Sequence, residues 1–108
     1  MSEPNVNALE EIQRVFQLEI DTLLKVRDLL QESYARAAEL LHGCNGKVVV
    51  TGIGKSGLIA HKIAATMVST GTPAVFLHPA DGLHGDVGII GAEDVMLAIS
   101  KSGESDEL

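Results

Sequence analysis

Three consecutive valines running straight into a glycine-rich turn constrain this 108-residue chain more than any other feature. Residues 47–51 contain Val48, Val49 and Val50, a short β-branched run of the kind found in strands buried on both faces. Gly52-Ile53-Gly54-Lys55-Ser56-Gly57 follows, and then a helical pattern over residues 58–69. So tight a strand-to-helix turn uses glycine for positive φ and for close backbone approach. The helix start then offers unpaired N–H groups and a positive dipole end to an anion. Gly71-Thr72-Pro73 ends that helix, and residues 74–77 read as a second short strand. A loop rich in His, Gly and Asp covers 78–91, residues 94–100 form a third buried strand, and Ser102-Gly103-Glu104-Ser105 opens another helix. Strand, glycine turn, helix, strand, loop, strand predicts an α/β fold with a parallel sheet.

Upstream of the sheet, residues 9–41 carry apolar side chains at helical spacing with no Gly or Pro among them. One helix of that length would be long for a globular domain, so a break is expected over 31–33, with Ser33 capping the second helix. The chain thus divides into an N-terminal helical segment, 1–45, and a sheet segment, 46–108. Val15, Leu18 and Leu24 spread apolar surface around several sides of the first helix, which suits a role in an oligomer interface.

Composition narrows the partners. Fifteen acidic against eight Lys and Arg residues give a formal net charge of −7, which argues against nucleic acid as a main partner. No apolar run approaches the roughly 20 residues needed to span a bilayer, and residues 1–7 lack the basic start and apolar middle of a signal peptide. Cys44 is the lone cysteine, so no disulfide framework exists and a reducing, cytoplasmic setting is expected.

Three readings of the glycine turn compete. Gly52, Gly54 and Gly57 have dinucleotide-site spacing, but the second strand ends at His78-Pro79, with no acid for a ribose until Asp81. Gly54-Lys55-Ser56 resembles part of a nucleoside-triphosphate loop, yet Val49 occupies the position where that motif needs its first glycine. A sugar-phosphate site fits better. Thr51, Ser56, Ser100, Ser102 and Ser105 fall at or just beyond the carboxyl ends of the expected strands, the edge where open α/β sheets bind ligands. Hydroxyls and helix-start N–H groups hold a phosphate monoester without a basic surface. His78 and His84, in the loop on that edge, can move protons near neutral pH or bind a metal. No close His/Cys cluster suggests a structural zinc site. His42 and His61 lie within helices and are expected to pack or face solvent, while Glu104, Asp106 and Glu107 suit a helix N-terminus, one of them serving as a general base.

Taken together, Val-Thr-Gly-Ile-Gly-Lys-Ser-Gly at 50–57, Ser-Thr-Gly-Thr-Pro at 69–73, His-Pro at 78–79, His-Gly-Asp at 84–86 and Ile-Ser-Lys-Ser-Gly-Glu-Ser at 99–105 resemble the sugar isomerase (SIS) domain. Within that group they resemble the arabinose-5-phosphate isomerase family. The resemblance implies a SIS-type doubly wound, Rossmann-like parallel sheet, incomplete in this chain. A remainder of the domain and a pair of CBS modules would follow, and the 108-residue chain alone would be inactive. It implies interconversion of D-arabinose 5-phosphate and D-ribulose 5-phosphate, feeding Kdo and lipopolysaccharide synthesis, in a cytoplasmic homotetramer. By matching position, Lys55, His84 and Glu107 would be catalytic. Gly71, Thr72, His78, His84, Ser56, Ser100, Ser102 and Ser105 would contact substrate. No cofactor is required, although His78 could take an adventitious or inhibitory zinc. Lys101 stands where the family usually has Asn, and Asp81 where Glu is more common. The rival readings are a sugar-phosphate sensor without catalysis, against which the acidic N-terminal helices count, and an SIS isomerase for another sugar phosphate.

Aldose–ketose isomerisation moves a proton between adjacent carbons through an enediol. It needs a base of near-neutral pKa, a group that assists ring opening, and positive charge beside the developing oxyanion. Glu107 is expected to be the base, His84 to assist ring opening or shuttle protons, and Lys55 to stabilise the anion or the phosphate. Replacing Glu107 by Gln in the complete gene product should abolish turnover and leave substrate binding largely intact, as steady-state kinetics beside calorimetric titration would show.

Overall fold

The computed structural model describes residues 4–80, 88 and 90–101, with side chains from residue 7 onward. Two compact units divide the chain, residues 1–36 and 37–108. The first unit holds α1, Pro4–Leu29, and the start of α2, Glu32–His42. Proline suits the opening of α1, where its missing N–H has no helical acceptor to lose. Glu11 and Arg14, one turn apart, form an exposed ion pair on α1. Leu9, Phe16 and Leu23 are exposed along it.

The expected break between the two helices is present at Leu30 and Gln31. Its cap differs from expectation. Tyr34 N donates to Gln31 O at 3.0 Å, so the first turn of α2 closes two residues early. Ser33 therefore lies inside that turn, where Glu32 also places negative charge near the positive end of the helix.

The second unit contains β1, Val48–Gly52; α3, Lys55–Ser69; β2, Ala74–Phe76; and β3, Val95–Ile99. All strand pairs are parallel and the order is β2-β1-β3. The valine strand is thus central among the described strands, and Val48, Val49 and Val50 are fully buried. Each such side chain contributes about 1.5–3 kcal/mol by leaving water. Val48 and Val50 cluster with Ala60 and Ala64 of α3, joined by Ala74, Phe76, Leu97 and Ile99. Alanines on α3 let the helix lie close to the sheet. Strand order reverses at β1, which is the doubly wound arrangement expected from the sequence, with a switch point at the carboxyl ends of β1 and β3.

At the opposite edge of the sheet, one carboxylate ties two strand starts together. Asp94 Oδ1 accepts from Lys47 N at 2.9 Å, and Oδ2 accepts from Lys47 Nζ at 2.7 Å and from Gly91 N at 2.7 Å. The Asp94 side chain is only 6% exposed. Cys44 packs nearby, its thiol donating to the carbonyls of Lys47 and Glu93. The Lys47 ammonium, followed by the amides of Gly91 and Lys47, holds the Asp94 carboxyl at about 2, below its ordinary 3.8. A depressed carboxylate pKa adds stability that is complete above the ordinary value and lost as pH falls through the folded one. Acid unfolding should therefore show an Asp94-dependent loss of stability between about pH 4 and pH 2, absent from Asp94→Asn, in melts followed by circular dichroism.

Candidate functional site

The helix begins earlier than the sequence pattern suggests, and that shift builds the site. Gly54 takes φ of +62°, turning the chain within one residue, so α3 starts at Lys55. Lys55 and Ser56 consequently belong to the first helical turn and not to a loop. No side chain caps this end, although Leu58 N donates to Gly54 O at 3.2 Å. The amides of Lys55, Ser56 and Gly57 are the first-turn donors that an α-helix leaves without intrahelical acceptors. Lys55 is exposed and pairs with no acid among the described residues. One ammonium and a row of N–H groups make this end locally positive within an acidic chain.

Close approach of strand and helix completes the turn. A Cβ on Gly57 would lie 2.8 Å from Gly52 O, and one on Gly52 would lie 2.8 Å from Ser56 O. Neither position has room for a side chain.

The other two strands bring further groups to the same edge. Gly52 pairs in register with Ile99, so Ser100 stands one residue beyond, level with the glycine turn, and is half-buried. Leu77 N donates to Val50 O at 2.9 Å, continuing the β2 ladder, and His78 follows it, exposed. Phe76 meets His78 edge-on, with centroids 6.5 Å apart at 71°. His61 of α3 stacks on the same Phe76, with centroids 3.6 Å apart. Lys55, Ser56, His78 and Ser100 thus share the carboxyl edge of the sheet.

Two sequence-derived candidates lie elsewhere. Gly71 and Thr72 follow the far end of α3, beside the start of β2, and one copy of the fold does not bring them to Lys55. Thr51 does stand at the carboxyl end of β1, one residue before Gly52, but its side chain is buried. Val50 faces α3, so its neighbour faces the other side of the sheet, only 5% exposed, and its hydroxyl has no hydrogen-bond partner among the described residues. His84, Glu107, Ser102 and Ser105 lie outside the described residues.

Sequence reasoning missed the part His78 plays in the backbone. Ala80 N donates to His78 Nδ1 at 3.0 Å, and residues 79 and 80 are helical. The signal was present in His-Pro, because proline favours the first position of a helix and makes the preceding residue its cap. Among the described residues no three His, Cys, Asp or Glu side chains converge to hold a metal ion, so the described surroundings of His78 do not form a zinc cage. No helix among the described residues is long and apolar enough to cross a membrane.

Comparison with known proteins accords with this geometry. The SIS domain family model matches residues 40–108. The chain belongs to the SIS domain family. Over all 108 residues it is 51% identical to the arabinose 5-phosphate isomerase GutQ of Escherichia coli (strain K12), covering 33% of that protein. It is 48% identical over 106 residues to the arabinose 5-phosphate isomerase KdsD of Yersinia pestis, covering 98% of this chain and 32% of that one. This SIS chain therefore spans about a third of the length of these curated relatives. The solved structure of an E. coli CFT073 protein, c3406, in complex with arabinose 5-phosphate superposes with a TM-score of 0.84 at 41% identity, covering 95% of this chain and 55% of that one.

In this SIS turn the closest backbone contact is the most sensitive point. Gly57→Ala should cost about 1–3 kcal/mol of stability, because the new methyl group overpacks against Gly52 O. Thermal melts beside the wild type would measure the loss.

Proposed function

We propose that this chain forms part of an aldose–ketose isomerase acting on D-arabinose 5-phosphate and D-ribulose 5-phosphate. The uncapped start of α3, with Lys55 in its first turn and Ser100 level beside it, carries the reading. A monophosphate supplies the anion that such an end lacks. Relatives at about half identity bear the name arabinose 5-phosphate isomerase, which supports a pentose as the remainder of the substrate.

In the proposed reaction, the phosphate anchors the open-chain sugar so that its first two carbons reach the acid–base groups. Glu107 takes the proton from C2 of the aldose, the C=O electrons move onto O1, and an enediolate forms. With the helix-start amides on the phosphate, the Lys55 ammonium offsets the new charge. Return of a proton to C1 and transfer of the O2 proton to O1 give the ketose. His84 assists ring opening before this step. The expected setting is a cytoplasmic homotetramer feeding Kdo and lipopolysaccharide synthesis.

No step needs a metal. The complete gene product should convert arabinose 5-phosphate to a ketose, detected colorimetrically, and EDTA should leave the rate unchanged. Binding without conversion would point instead to a sensor. Loss of turnover in EDTA, restored by zinc, would overturn the metal-free reaction.

A further inference from the structure

Resting on the isomerase reading above, we propose that Lys101 is the counter-cation of the substrate's phosphate. It sets affinity for the charged end of the sugar, while Lys55 serves the reacting end.

Without Lys101 the charges at this edge do not balance. A phosphate monoester carries about −1.5 to −2 near neutral pH, and a helix start offers the equivalent of roughly half a positive charge. Lys55 is committed to the enediolate. The phosphate is thus left short by about one positive unit or slightly more. The chain as a whole makes that shortfall worse, because a formal net charge of −7 repels an anionic sugar.

Lys101 stands where the missing charge is wanted. Gly52 pairs in register with Ile99, and a Cβ on Gly52 would lie 3.0 Å from Ile99 O. The end of β3 therefore abuts the glycine turn. Leu97 and Ile99 both pack against the core that α3 shares with β1, and Lys101 follows at the same two-residue interval. Paired strands lie about 4.8 Å apart, so positions just beyond Gly52 and just beyond Ile99 are neighbours across one strand spacing. Lys101 is exposed and forms no ion pair among the described residues. The first turn of α3 holds no acid to compete for it. An ammonium on a flexible stem acts as a point charge and needs no fixed fork geometry to meet a phosphate. Since this position departs from the usual Asn, the charge is particular to the chain.

The phosphate does not change during isomerisation. A cation that holds it binds substrate and transition state equally, and its loss raises KM without lowering kcat. In the complete gene product, Lys101→Gln should raise KM for arabinose 5-phosphate about 5- to 20-fold in low salt, with kcat within about twofold of wild type. Raising ionic strength from about 20 mM to about 0.5 M should shrink that gap to about twofold, because an exposed charge is screened. Inhibition by inorganic phosphate, which has no sugar, should weaken by the same factor as KM rises. Lys101→Arg keeps the charge and should keep KM. Lys62→Gln removes an equal charge about 10 Å further along α3 and should move KM less than about twofold.

Unchanged KM and unchanged phosphate inhibition in Lys101→Gln at low salt overturn the assignment. A fall in kcat at constant KM also overturns it, because the ammonium would then act at the reacting carbons. An equal rise in KM for Lys62→Gln overturns it too, by making the effect one of overall charge. A wild-type protein that neither binds nor converts the sugar phosphate sinks the isomerase reading itself. Active wild type beside an unaltered Lys101→Gln sinks only the role of Lys101.

Discussion

The near-contact between the end of β1 and the first turn of α3 is the constraint on which the rest of the site depends. With no Cβ on Gly52 or Gly57, a carbonyl oxygen of the strand can sit against the helix backbone. The helix consequently begins at the strand tip and not a turn further out. Its amides, the Lys55 ammonium and the Ser100 position come to one edge for that reason. A side chain at either glycine would lever the helix away and separate the charge from the hydroxyl.

The sheet behind the turn is fastened at its other edge by Asp94. Its carboxylate serves two backbone amides and one ammonium, joining segments 47 residues apart in sequence. Three donors on one carboxylate, largely shielded from water, fix the starts of β1 and β3 relative to each other. Parallel register then carries that alignment along both strands to Gly52 and Ile99, where the glycine turn meets the serine loop.

Much of this was legible in the residues because it depends on local pattern. Three valines between polar neighbours specify a strand buried on both faces, and the glycine spacing specifies a tight turn into a helix. The helix break at residues 30 and 31 was legible from length alone. What escaped was set by single hydrogen bonds or by strand parity. Ser33 was the obvious cap, yet Gln31 O closes the turn first. Thr51 sits among hydroxyl residues in the sequence, but alternation along β1 turns it to the far side of the sheet. The Lys47–Asp94 link left no mark in either local segment, since each half is an ordinary polar residue beside a strand. Lys55, Ser56, His78 and Ser100 were legible as occupants of one sheet edge because parallel strands align their carboxyl ends. Gly71 and Thr72 were not separable from them by motif, because α3 carries the chain to the opposite edge before they occur.

A socket made of main chain has little freedom to diversify. Gly54 needs its left-handed φ, and Gly52 and Gly57 have no space around them, so mutation cannot adjust the shape of the turn by degrees. On the isomerase reading proposed above, any change in which phosphorylated sugar is accepted would be written at the tips of the neighbouring strands, where side chains are free to vary in size and polarity. On that reading the turn supplies the grip on phosphate, and discrimination among sugars is delegated to its surroundings.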